Sequence, residues 1–126
     1  MGMRTPLSKV RGLGSAKEGT EHFWRQRMTA LANVPLIIAF VVLVLANIGL
    51  DHASAKAFLG QPLVALTMLL VVGCGVYHMK LGMQVIIEDY VHHELLKVLS
   101  LMGNVFFSAI IALAAALAIL KLALGS

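Results

Sequence analysis

Three long stretches carry no charge, and polar clusters separate them. They run from residue 28 to 50, from 57 to 79 and from 98 to 120. Each exceeds the roughly 20 residues that an α-helix needs to cross about 30 Å of hydrocarbon. The pattern predicts an all-α, integral membrane three-helix bundle.

Helix limits follow from local signals. Pro62 suits a first helical turn, and the apolar pattern behind it continues past Lys80 to Ile87. The predicted helices therefore cover about 29–48, 63–87 and 99–120, with a tail at 1–28 and a membrane anchor domain at 29–126. Lys80 then falls inside a span and must snorkel to the interface or meet a partner. Six of the ten Lys and Arg residues, Arg4, Lys9, Arg11, Lys17, Arg25 and Arg27, precede the first span. Lys80 and Lys97 flank the second connection, whereas Lys56 stands alone in the first and Lys121 alone at the carboxyl end. Basic residues accumulate on the cytoplasmic side, so the N-terminus is expected inside and the C-terminus outside.

Composition narrows the classes further. With 60% hydrophobic residues and 13% charged ones, the chain falls outside the soluble range. The net charge of +4 reflects topology and anionic headgroups, since no basic groove interleaved with aromatics exists to hold nucleic acid. The first apolar run is too long for a signal-peptide core and lacks a small-residue cleavage site, so no cleavable signal is expected. Cys74, the single cysteine, forms no internal disulfide and reads as a small buried hydrophobe between Gly73 and Gly75. Neither a phosphate loop nor a Ser/His/Asp set is present.

His78 is the exception within the middle span. It lies eleven residues before Asp89, about 16 Å at 1.5 Å per residue, and so close to the bilayer centre. An imidazole at that depth needs a partner, a cavity or a cofactor. Gly75 and Gly82, three before and four after, share its helical face. The resulting strip without side chains suits the approach of a planar macrocycle, and equally suits tight helix packing. Asp89 returns to nearly the same face at the interface, with Tyr90 about 100° further round. Tyr90 reads either as a member of the aromatic belt or as a phenol donating to a carbonyl of a lipid-soluble ligand.

The segment from His78 to Tyr90, "HMKLGMQVIIEDY", resembles the second helix of the small haem-binding hydrophobic membrane anchor of succinate dehydrogenase, through its His-x10-Asp-Tyr spacing with Gly82 and Gln84 between. The stretch "GSAKEGTEHFWRQRMTALANVPL" (Gly14 to Leu36) is similar to the alphaproteobacterial form of that family, with Trp-x-x-Arg-x-Thr-Ala leading into the first helix. The resemblance implies a membrane anchor and cytochrome b component of succinate:quinone oxidoreductase (respiratory complex II) in the bacterial inner membrane. It further implies partnership with a flavoprotein, an iron–sulfur protein and a second small three-helix anchor of the cytochrome b type. Carried over, His78 is one axial ligand of a haem b shared with that second anchor, whose own histidine supplies the other. Arg27 corresponds to an arginine near the haem propionates, Tyr90 to a tyrosine that hydrogen-bonds ubiquinone, and Asp89 to its acidic neighbour. Succinate oxidation would take place on the flavoprotein.

The remaining candidates are weaker. His22 reads as a solvated interfacial histidine or as a family histidine near the quinone, and Trp24 as a headgroup anchor. His92 and His93 point about 100° apart, which disfavours a shared metal with Glu94; together with Lys97 they read as a wet docking surface. His52 beside Asp51 has no expected role. Two alternatives remain for the whole chain: a haem-free structural or assembly subunit that uses His78 for packing, and a small transporter subunit, for which no inverted pair of spans is visible.

Overall fold

The computed structural model describes residues 5–7 and 18–125. Its helices are α1 (Glu18–Asn47), α2 (His52–Leu59), α3 (Pro62–Tyr90) and α4 (Glu94–Leu124), and no strand occurs among the described residues. Three of the helices are long and apolar enough to cross a membrane. α3 is the central element, packed against α1 on one side and α4 on another.

Each long helix reaches beyond the limits read from hydropathy. α1 starts at Glu18, not near 29, because a chain that leaves the hydrocarbon can keep its helical hydrogen bonds in the headgroup region. Pro35 is tolerated inside α1, as membrane helices re-satisfy the freed carbonyl locally. α3 opens at Pro62, where the missing N–H costs nothing. Residues 91–93 turn the chain between α3 and α4, with Val91 and His93 extended. The short helix α2 does not appear in the hydropathy pattern at all. Asp51 precedes it, and a hydrogen bond from Ser54 is the main reason its carboxyl lies below the usual carboxylate range.

Burial is the inverse of a water-soluble core. The buried apolar residues are few, among them Val64, Ala65, Leu81, Ile87 and Ile119, while Leu31, Ile38, Phe106 and Leu113 face outward. Such a bundle presents its apolar bulk to lipid tails, and its helices associate through close packing and interhelical hydrogen bonds. The protein is a three-helix integral membrane bundle.

One of those bonds joins α3 to α4: Asn104 Nδ2 donates to the Lys80 carbonyl at 2.9 Å. Asn104 is buried at 8% exposure, so the amide has no lipid-facing use. Asn104→Leu should weaken the α3–α4 contact by about 0.6 kcal/mol, the mean for such bonds in a membrane. Unfolding in mixed micelles would measure it. A loss well above about 1.7 kcal/mol would mean that Asn104 does more than clamp two helices.

Candidate functional site

His78 is half-buried on the face of α3 that meets α1, and its Nδ1 lies 3.0 Å from the Thr29 hydroxyl. That hydroxyl also donates back into its own helix, to the carbonyls of Arg25 at 2.8 Å and Gln26 at 3.1 Å. A threonine hydroxyl has one proton, and the Arg25 carbonyl, the Gln26 carbonyl and His78 Nδ1 all lie within its reach. In the tautomer with the proton kept in α1, the oxygen accepts from Nδ1–H and the lone pair is on Nε2. An imidazole oriented through Nδ1–H with Nε2 available is the usual state of a metal-binding histidine.

The two glycines flanking His78 differ. A Cβ on Gly75 would meet no atom within 4 Å, whereas one on Gly82 would come 3.5 Å from Gln26 Nε2. Gly75 thus leaves open ground beside the imidazole, and Gly82 lies under α1. Both are at the position along α3 that the spacing predicted, but α1 covers one of them.

Along one flank of the α1–α3 seam runs a polar cleft of about 470 Å³, lined by His22, Arg25, Tyr77, Lys80, Gln84 and Glu88 among others. Arg25 forms an ion pair with Glu21, and Tyr77 lines the cleft beside it. Gln84 Nε2 donates to Glu88 Oε1 at 2.8 Å, and His22 Nε2 is buried with no partner. Lys80 faces this cleft, so its charge has a polar setting within the span.

The flank opposite the cleft holds Arg27. Residues 25 and 27 are about 200° apart on a helix, as Tyr77 and Gly75 also are. Since Arg25 and Tyr77 meet on the cleft side, Arg27 and Gly75 turn to the other. Arg27 there lies 5.1 Å over the Phe23 ring, and Phe23 in turn packs edge-on to Trp24 at 6.0 Å. His78 therefore has open ground on the flank that also carries an exposed arginine.

Asp89 and Tyr90 end α3 in full exposure, Tyr90 at 77%, and neither lines the cleft. A pocket around the Tyr90 phenol would need walls from another chain. His92, His93 and Glu94 are exposed in the turn into α4, and His52 is exposed at the start of α2. No group of three residues able to hold a metal ion occurs among the described residues. Two contributors escape a reading of the sequence alone, Thr29 and Tyr77. Both depend on how α1 is rotated against α3, which no local motif encodes.

Comparison with known proteins agrees with this architecture. Residues 1–120 match the succinate dehydrogenase/fumarate reductase transmembrane subunit family. The succinate dehydrogenase hydrophobic membrane anchor subunit of Paracoccus denitrificans is 35% identical over 97% of this chain and 94% of its own length. That of Rickettsia bellii is 36% identical over 70% of each, and the membrane anchor subunit of Reclinomonas americana is 30% identical over 68% of this chain and 73% of its own. No solved structure matches the chain. A family match spanning nearly all of the sequence, together with three spans, makes this a multi-pass inner-membrane protein. The chain belongs to the succinate dehydrogenase/fumarate reductase transmembrane subunit family, as a hydrophobic membrane anchor.

Proposed function

We propose that this chain anchors a succinate dehydrogenase in the bacterial inner membrane and supplies half of a haem b site and one edge of a ubiquinone site. The observation that carries the reading is the 3.0 Å contact between the Thr29 hydroxyl and His78 Nδ1, which leaves Nε2 as the ring nitrogen open to a ligand. The residues present fit a haem: one imidazole held at Nδ1, open ground at Gly75, and the Arg27 cation on the same flank for an anionic edge. Gly82 contributes by letting α1 approach. A haem held through His78 would need a second ligand from elsewhere, and a histidine of the second, cytochrome b-type anchor would supply it. When bound, the haem supplies one-electron redox chemistry.

The chain's own residues hold and orient. Thr29 fixes the imidazole, Arg27 offers charge to a carboxylate, and the Tyr90 phenol with neighbouring Asp89 faces a quinone headgroup across a boundary with other subunits. The flavoprotein and the iron–sulfur protein dock on the face bearing the amino-terminal tail, which the excess of Lys and Arg assigns to the cytoplasm.

Reduction of the purified complex with dithionite tests the haem: a low-spin b-type spectrum is expected, and its absence refutes this half of the reading. The quinone edge is tested by Tyr90→Phe, which keeps the ring and deletes one donor. Losing a neutral hydrogen bond worth about 0.5–1.5 kcal/mol should lower quinone binding or turnover roughly two- to tenfold. Succinate oxidation with an acceptor that takes electrons before the quinone should persist. Quinone reduction equal to wild type across a full concentration range would return Tyr90 to the aromatic belt.

A further inference from the structure

Tyr77, Lys80, Gln84 and Glu88 all line the polar cleft beside α1, and they stand at i, i+3, i+7 and i+11 along α3. That spacing sets the four on one face of the helix, where they keep it polar over about 16 Å at 1.5 Å per residue. Beyond Tyr77 the same face changes character. Its next positions are Gly73, Leu70 and Leu66, and both leucines are exposed. α1 changes at the same level: Glu21 and Arg25 line the cleft, and the next side chain on their face is Met28, also exposed. The cleft thus begins between Gly19 and Glu88, near the start of α1 and the end of α3, and gives way to apolar residues at the depth of His78.

Hydrocarbon cannot serve these side chains. Lys80 stands nine residues before Asp89, about 14 Å into the span, and a charge at that depth needs a polar setting. Much of the wall is matched within itself, since Arg25 pairs with Glu21 and Gln84 Nε2 donates to Glu88 Oε1 at 2.8 Å. Two acids and two bases line the cleft, so it offers no net charge to an ion or to an acidic strip of a partner. Donors and acceptors mixed along both walls suit a small molecule that is itself both. A volume of about 470 Å³ has room for water on the order of ten molecules.

We propose that the cleft is a water-filled inlet, through which protons exchange between the membrane surface where α1 begins and the depth of His78. Water held by Glu88, Gln84, Lys80 and Tyr77 gives a proton a route that lipid tails do not. The inlet is blind, because Gly73, Leu70 and Leu66 continue the α3 face without a polar group. This inference needs only the bundle and is independent of the haem and quinone readings.

Cysteine accessibility in the intact complex tests it. With Cys74 replaced by Ala, Lys80→Cys and Gln84→Cys place thiols in the inlet, Ile86→Cys places one on the exposed opposite side of α3, and Gly19→Cys marks the mouth. The probe is a charged, membrane-impermeant methanethiosulfonate. It reacts with the thiolate, so labelling requires both water and a path for the thiol proton. Apolar surroundings raise a thiol's pKa and cut its thiolate fraction by about 100-fold or more, and the inlet thiols should label faster than Ile86→Cys by that factor. They should do so only from the membrane side that labels Gly19→Cys, as read from the mass of the anchor chain in inside-out and right-side-out vesicles. Rates in the inlet equal to that of Ile86→Cys, or labelling only from the other side, overturn the proposal. No labelling in the inlet also overturns it and shows that another subunit or lipid fills the cleft. Should Lys80→Cys fail to assemble, Gln84→Cys, which removes no charge, decides alone.

Discussion

His78→Ala should abolish the low-spin b-type spectrum of the assembled complex, the largest change expected of any single substitution in this chain. Bis-histidine ligation needs an imidazole on each side of the iron, and His78 is the only histidine within an uncharged run. The loss is separable from misfolding. Helix α3 is held to α4 through Asn104 and to α1 along the length of the seam, and neither contact requires the imidazole. Flavin content of membranes and succinate oxidation with an early acceptor should therefore remain measurable in His78→Ala, with the reduced spectrum gone or converted to a high-spin form. An unchanged reduced spectrum in fully assembled complex would remove His78 from the ligand set. In that case the imidazole serves α1–α3 packing through Thr29, the role that a haem-free anchor would give it.

Different parts of the architecture are legible in the sequence to different degrees, for identifiable reasons. Uncharged runs mark the spans because hydrocarbon excludes charge, and that constraint acts on every residue of the run. The same signal does not reach the start of α1: hydropathy marks the uncharged run, and the charged stretch from Glu18 to Arg27 is helical as well. α2 is invisible to it because eight residues, "HASAKAFL", are too few to show a period, and its position rests on packing against α3 and α4, the close approach of Gly60 to the Leu122 carbonyl included. At the site, periodicity correctly sets Gly75, His78 and Gly82 on one face of α3, since that is a property of one helix. Which part of that face α1 covers is a property of two. Gln26 over Gly82, Thr29 on His78 and Arg25 against Tyr77 all follow from the rotation of α1. Family resemblance locates Arg27 and Tyr90 along the chain, and both side chains are exposed in the isolated anchor.

The rotation of α1 also makes Thr29 the most informative residue outside His78 itself. Thr29→Val preserves shape and removes the hydroxyl at 3.0 Å from Nδ1. The half-buried ring then loses the contact that restrains its plane. Partners of this kind typically contribute about 10- to 100-fold to metal affinity, so a loss of haem affinity in that range is expected. The midpoint potential should shift as well: an imidazole whose N–H is no longer hydrogen-bonded donates less electron density, which stabilises ferric iron less and raises the potential. Thr29→Ser, which retains the hydroxyl, should restore both properties toward wild type. The ratio of haem to flavin through graded washing and a redox titration of the retained haem would measure them separately. Purely structural use of Thr29, through its hydrogen bonds to the Arg25 and Gln26 carbonyls, would alter complex stability and leave the potential of the remaining haem where it was. A Thr29→Val complex with wild-type affinity and potential would show that the hydroxyl does not support the ligand, however close it lies to the ring.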